Sequence, residues 1–490
     1  MESSFGKKIL SGSLWILLFR WMSRLLGVVS VIILARVLLP EDYGLIAKAL
    51  ILSSFLEMVT EFGFFTALVR NKKATPQDYN TVWTLCIIRG VFLFTVIMLT
   101  AGLMADFFND ERIYPIILVY GVIALLYGFL NVGVVDFHKK MNFNMEFKLN
   151  ILSRLAEFFT TLFVALVYKT YWAFPLGSLV GMLVKLVTSY IVSNYRPRFS
   201  LASLDKIFSF SKWFFVYEAM SALSAKIDVI LLSKFSSTET LGLYTISKEI
   251  SGMPSTEIAM PVARAALPAL AELVDDKPGF QKLNVQILSS VLALALPAVI
   301  GICLIADYVV LLLLGPNWLG AVVFLQILAF VGISRVSVAC AISAVTAIGR
   351  ADLLGRYSFA MFFVRAAFMA AGILIGEAVG LAWGVLAASL TGMVLMQYIQ
   401  SSLGIMSVKS LFLASWRVVL AALLMAAVLG AAMFSPLVSD TGLGGWMALP
   451  LTALGILVYG LSLLLLCKLS NWPDGPETYL LTLLKGKKKL

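Results

Sequence analysis

The sequence predicts an all-α polytopic membrane protein with about fourteen transmembrane helices. They form two six-helix lobes related by a parallel repeat, plus two C-terminal helices. Three observations predict this. The 490 residues are 60% hydrophobic and only 13% charged, about half the charged share of a soluble domain. Mean hydropathy is +0.95, and the apolar residues gather in runs that suit spans of about 20 residues each. The connections between runs are short, and none could hold a soluble catalytic domain.

Taken in order, the expected spans are 10–38, 43–69, 79–107, 113–136, 147–168, 172–194 and 208–235, then 240–270, 284–313, 318–348, 353–376, 378–404, 412–435 and 446–468. The first is too long for the apolar part of a signal peptide and lacks a small-residue cleavage pattern, so it is expected to remain as a span. It carries Arg20 and Arg24, and the second carries Glu57 and Glu61. Each pair is spaced i, i+4 and lies on one helix face. The third span carries Arg89, the fifth Arg154 with Glu157 three residues on, and the sixth Lys185. The seventh holds Glu218, Lys226 and Asp228, and the eighth Lys248, Glu249, Glu257 and, nearer its end, Arg264. Pro254 and Pro261 interrupt the eighth span and Pro297 the ninth; proline there frees backbone groups and bends the helix. Arg335 and Arg365 lie deep in the tenth and eleventh. The last three spans carry almost no mid-span charge, so they are expected to face lipid or guide a lipid tail.

The loops give the orientation. One set carries Lys7, Lys8, Arg70, Lys72, Lys73, Lys139, Lys140, Lys148, Arg196, Arg198, Lys206, Lys277, Lys282, Arg350, Arg356, Lys409 and Arg417, and the tail adds four more lysines. The opposite set has only Arg36, Arg112, Lys169 and Lys234, interleaved with acids. Positive loops stay on the cytoplasmic side. Both termini are therefore expected there, which an even number of spans satisfies. The net charge of +11 is first a topology signal and second a hint of an anionic substrate, not a sign of nucleic-acid binding.

An internal repeat is visible. LARVLLPEDYGL (34–45) aligns with LSKFSSTETLGL (232–243) at an offset of 198 (242 − 44). Arg36 meets Lys234, Glu41 meets Glu239 and Gly44 meets Gly242. The match falls on the first hairpin of each half, so the halves have the same orientation. The expected domains are an N-terminal lobe at 1–200, a second lobe at 201–405, and 406–490 for two further helices and a basic tail. Parallel repeats put a substrate site near the midplane between lobes.

An ionised group at bilayer depth costs ~2.5–3.5 kcal/mol on insertion scales and usually faces a protein interior or a water-filled cavity. Depth suggests partners. Arg24 lies 16 residues before the turn at residue 40 and Glu57 17 after it; Arg20 lies 20 before and Glu61 21 after. If spans 1 and 2 pack together, these are salt bridges that lock the hairpin, or arginines that meet phosphate or acidic sugar; both roles can coexist. Arginine suits oxyanions through its planar fork. About a turn at residue 238, Asp228 meets Lys248, Lys226 meets Glu249, and Glu218 meets Glu257. Two facing carboxylates could share a coupling proton or hold Na⁺; neutralisation by Lys212 or Arg264 is the competing account. Lys48 and Arg264 are near enough to span ends for snorkelling to explain them.

The four cysteines, Cys86, Cys303, Cys340 and Cys467, lie in apolar runs without metal-ligand spacing and are read as small core residues. The lone His138, beside Lys139 and Lys140, is read as interfacial rather than metal-binding. Trp83, Tyr120, Tyr127, Trp172 and Trp213 are read as anchors or packing before sugar platforms. No G-x-x-x-x-G-K-[ST] motif is present, so ATP hydrolysis is not expected.

The chain resembles the polysaccharide transporter family, the Wzx-type O-antigen and capsule flippases of the multidrug/oligosaccharidyl-lipid/polysaccharide superfamily. The resemblance rests on ARVLLPEDYGL (35–45), IDVILLSKFSSTETLGLYTIS (227–247), PVARAALPAL (261–270), LLLGPNWLGAVVFLQILA (312–329) and AIGRADLLGR (347–356), taken in order. It implies a MATE-like fold of two six-helix lobes around a central cavity, in the bacterial inner membrane. The implied substrate is a polyprenyl-pyrophosphate-linked oligosaccharide moved to the outer leaflet, with membrane lipids and other polysaccharide assembly proteins as partners. No cofactor is expected; the energy would have to come from an ion gradient, such as H⁺ or Na⁺, from the membrane potential or from substrate flow. The cations expected to bind substrate are Arg20, Arg24, Arg89, Arg154, Lys185, Arg264, Arg335 and Arg365. Those expected in ion coupling or salt bridges are Glu57, Glu61, Glu218, Asp228, Glu249 and Glu257. A multidrug/cation antiporter would favour an acidic, apolar cavity; a lipid II flippase would share the cationic one. An integral polysaccharide polymerase would need a large outer loop, which is absent.

Overall fold

The computed structural model describes residues 2–60, 64–70, 74–139, 142–204, 224, 226–256, 260–435 and 444–470, and among them every regular element is helical. The chain divides into two compact units, Met1–Gly242 and Leu243–Leu490.

In the first unit, α1 spans Glu2–Val37 and α2 spans Pro40–Val59. Pro40 suits the start of α2 because its missing N–H would have had no partner there. The Leu39 N–H donates to the Asp42 carboxylate at 2.9 Å. After α3 (Phe64–Arg70), α4 covers Pro76–Phe108. It opens on a reciprocal cap in which the Thr75 N–H reaches the Asp78 carboxylate at 3.0 Å and the Asp78 N–H reaches Thr75 Oγ1 at 3.4 Å. Such a cap satisfies two amides that the helix itself leaves open. α5 (Ile113–Gly128) and the short α6 (Val135–Lys139) follow, with a bend of 65° between α5 and the 132–139 segment. Buried Asn131 fixes the bend: its Oδ1 accepts from the Gly133 N–H at 2.8 Å and its Nδ2 donates to the Tyr195 carbonyl at 2.8 Å. α7 (Phe143–Tyr168) and α8 (Ala173–Val192) complete the six; α9 is described over 226–235, and α10 (Thr238–Pro254) begins in this unit.

α1 packs along α7, α7 along α8, and α5 against α4, α2 and α8. Pairing of Arg20 and Arg24 with Glu57 and Glu61 requires α1 and α2 to lie side by side. The helices that run along α1 and α2 are instead α7 and α5 respectively. Leu45, Ile97, Ile113 and Ile116 join α2, α4 and α5 in one buried cluster. Lys48 does not snorkel: it is 5% exposed, with its Nζ donating to Thr238 Oγ1 at 2.7 Å.

In the second unit, α10 continues to Pro254, followed by α11 (Met260–Ala271), α12 (Lys277–Leu304), α13 (Ala306–Leu313) and α14 (Ala321–Ala347). The run α15 (Ala351–Ser402) precedes α16 (Val408–Met433), and we label Ala448–Leu469 α17. α14 is the central helix, packed on α11, α12 and α15. α15 is two helices. Gly376 (φ −139°, ψ 28°) and Glu377 (φ 50°, ψ −133°) break it, and a Cβ at Gly384 would overlap the Phe368 carbonyl and stand 3.1 Å from the Met369 Cα. The halves 351–375 and 378–402 therefore fold back on each other at backbone distance.

Nine helices among the described residues are long and apolar enough to cross a membrane, or ten with the bent pair. The expected second span divides into α2 and α3, and the fourth bends. In the eighth, α10 ends at Pro254 and 255–256 continue as π-helix, and the ninth breaks at Ile305 rather than at Pro297. The eleventh and twelfth are the two arms of α15. Most of the seventh, 208–235, lies outside the described residues.

Candidate functional site

A hollow of about 420 Å³ opens in the first unit among α2, α4 and α5, lined by Glu57, Met58, Cys86, Arg89, Leu93 and Tyr127 among others. Arg89 projects from α4 to the last turn of α2. Its Nε donates to Thr60 Oγ1 at 3.0 Å and its Nη2 to the Glu57 carbonyl at 2.8 Å. The last carbonyls of a helix lack intrahelical donors and carry its negative dipole end, so a guanidinium is well placed there. Lys185 of α8 stands 6.0 Å from the centre of the Tyr127 ring, a cation over the face of an aromatic that lines the hollow. Among the described residues the hollow thus combines the Glu57 carboxylate, the Arg89 guanidinium and the Tyr127 ring, with the Lys185 ammonium over that ring.

Arg154 pairs with Glu157 at 2.9 Å, as their spacing predicts. Its Nη2 lies 3.8 Å from where a Gly27 Cβ would be, so it spreads over α1. A smaller hollow of about 20 Å³ in the second unit is lined by Tyr244, Lys248, Ser251, Gly252 and Arg335 among others. Among the described residues its lining contains two cations and no carboxylate. Arg365 lies on α15 and lines neither hollow. Asp228 is 3% exposed, and its Oδ1 accepts from the Val229 N–H at 2.9 Å. Its expected partner Lys248 belongs to the second unit, as does Glu249. Arg20 and Arg24 lie half-buried on α1. Glu61, Glu218, Glu257 and the side chain of Arg264 lie outside the described residues.

The sequence did not single out Thr60, and it read Cys86 as a small core residue where the structure has it lining the hollow. Thr60 becomes visible only once the end of α2 is known, since it is the capping residue there. His138 is at a helix end as expected, with Nε2 at 3.2 Å from Glu146 Oε1. None of the four cysteines is in a disulfide among the described residues, and each is at least half-buried. At the far end of α2, Arg112 Nη2 donates to Glu41 Oε1 at 2.7 Å and to Asp110 Oδ2 at 2.8 Å. Burial pushes the Asp110 carboxyl up, but hydrogen bonds from Arg112 pull it further down, to below its ordinary value.

The family model described as polysaccharide biosynthesis protein matches residues 33–323. The chain belongs to this family. The chain is 24% identical over 384 residues to the teichuronic acid biosynthesis protein TuaB of Bacillus subtilis (strain 168), across 78% of this chain and 80% of that protein. It is 23% identical to the lipopolysaccharide biosynthesis protein WzxC of Escherichia coli (strain K12), across 81% of each. Among solved structures it resembles the lipid II flippase MurJ in its inward closed conformation, with a TM-score of 0.74 and 14% identity over 92% of this chain and 98% of that one. The last likeness shows the fold. The chain is a multi-pass bacterial membrane protein of the transporter type.

Proposed function

We propose that this chain flips a polyprenyl-pyrophosphate-linked oligosaccharide, an O-antigen, capsule or exopolysaccharide repeat unit, from the cytoplasmic to the outer leaflet. The observation that carries the reading is the hollow lined by Glu57, Arg89 and Tyr127 inside a membrane transporter of the polysaccharide biosynthesis family. Drug-sized ligands fill pockets of about 300–1,000 Å³, so this hollow suits a head group and the first sugars rather than a whole glycan. The lipid tail stays in the bilayer. On this reading 1–200 and 201–405 are lobes that rock between inward-open and outward-open states, with 406–490 accessory. The protein sits in the inner membrane with both termini in the cytoplasm, and an H⁺ or Na⁺ gradient drives the cycle.

The cations divide into two groups under this proposal. Arg89 and Lys185 surround the first hollow, and Arg335 with Lys248 the second. Arg20, Arg24, Arg154, Arg264 and Arg365 are further candidates for substrate contact. Reconstituted vesicles with a defined lipid-linked oligosaccharide test the function, with lipid II as competitor and pH or Na⁺ gradients imposed across the membrane. Arg24→Ala and Glu57→Ala should each slow translocation about tenfold, equivalent to ~1.4 kcal/mol. Normal rates in both variants would remove these residues from the path, and failure of wild-type vesicles to move any lipid-linked glycan would overturn the reading.

A further inference from the structure

Two glycines that the sequence repeat places in register, Gly44 and Gly242, meet each other in the structure. Both lie in the first unit, one at the start of α2 and one at the start of α10. A Cβ added to Gly44 would overlap the Thr238 carbonyl oxygen and stand 3.1 Å from the Gly242 nitrogen. One added to Gly242 would overlap the Pro40 carbonyl oxygen and stand 3.0 Å from the Gly44 nitrogen. Pro40 and Thr238 are themselves separated by the repeat offset of 198 (238 − 40). Each helix start therefore offers the other the same pair of groups, a carbonyl and, four residues later, a glycine. The contact has the self-complementarity of a two-fold interface, formed within one chain.

Its surroundings reinforce it. Lys48 crosses from α2 to Thr238 Oγ1 at 2.7 Å. Lys234 Nζ donates to the Phe107 carbonyl at 3.0 Å, tying the approach to α10 to the end of α4. The hollow lined by Glu57 and Arg89 is at the other end of α2, 13 residues from Gly44 (57 − 44), or about 20 Å along the helix. Backbone against backbone leaves no passage at the crossing. Such a contact is also short in range, because close-packing attraction falls away within a fraction of an ångström.

We infer that the Gly44–Gly242 crossing is the seal that closes the non-cytoplasmic end of the polar path, and that its parting releases the carried group. The inference rests on the flippase reading for which face is outer. The test uses the full chain in spheroplasts, with Cys303, Cys340 and Cys467 replaced by alanine. A membrane-impermeant thiosulfonate added outside then reads the exposure of Cys86, which lines the hollow. Gly44→Ala and Gly242→Ala should each raise the rate of Cys86 modification roughly tenfold, an ordinary size for a conformational coupling. The two effects should be alike because the contact is two-fold. Lys48→Met removes the bond across the same crossing without adding atoms to it, and should give a smaller rise. Unchanged labelling in glycine variants that fold like the parent would overturn the inference. If those variants do not fold, unchanged labelling in Lys48→Met would overturn it, as would fast labelling of the parent chain. Labelling needs no glycan, so an opening seal in a protein that moves no lipid-linked glycan would leave the seal standing and the flippase reading fallen.

Discussion

The guanidinium of Arg89 reaches across from α4 and donates to Thr60 Oγ1 and the Glu57 carbonyl. This contact both closes the end of α2 and puts a positive charge on the wall of the hollow. Hydrogen bonds to a charged group are each worth about 1.5–3 kcal/mol. Arg89→Gln should lower stability by roughly that amount, read as a fall in thermal midpoint in detergent, and Arg89→Lys should recover part of it. Equal midpoints for the glutamine variant and the parent would show that the guanidinium does not hold α2. The sequence marked Arg89 as an intramembrane cation. That it reaches a hydroxyl and a backbone carbonyl in the last turn of α2 could not be read there, because a helix end has no charge in the text. Arg154 differs: its partner Glu157 is three residues away on the same helix, and helical spacing alone predicts the pair.

The breaks in the helices have local causes, and these set how sharply each element turns. α10 changes from α-helix to π-helix at 255–256, just after Pro254, where proline removes a donor and crowds the preceding turn. α12 carries Pro297 in its interior and continues to Leu304. In α15 the reversal falls on Gly376 and Glu377, and Glu377 has φ 50° and ψ −133°. That region suits glycine and costs a residue with a Cβ about 1–3 kcal/mol. Glu377→Gly should therefore raise the thermal midpoint, by a net of about 1 kcal/mol after the added freedom of the unfolded chain is deducted. A fall in midpoint would show that the Glu377 side chain stabilises the turn. The close approach of the two arms follows from Gly372, Gly380 and Gly384, since small residues let membrane helices touch where lipid offers no hydrophobic drive. Arm-to-arm packing was invisible in the sequence beyond the glycines themselves.

For the molecule as a whole, the orientation is open to direct measurement. Glu111 lies in the α4–α5 turn and Asn142 just before α7, and both are exposed. On a cysteine-free background, Glu111→Cys should react with an impermeant reagent in intact spheroplasts. Asn142→Cys should react only once the membrane is opened. The reverse pattern would invert the topology and the proposed direction of transport.

Composition and hydropathy by themselves determined that the chain is a helical membrane protein. Each apolar run is a local property, and a helix satisfies its own backbone in lipid without help from its neighbours. The family-like segments and the repeat in the two hairpins were also legible, because they are matches of text to text. Tertiary structure alone decided which helices lie together. Depth arithmetic equates positions along two helices but contains nothing about which faces meet, so it did not find α7 running beside α1 or α5 beside α2. It also could not reveal that Arg89 ends on α2, that Lys48 is buried on Thr238, or that the two repeat glycines touch. Those facts depend on backbone distances between segments far apart in sequence, and packing of the folded chain is what fixes them.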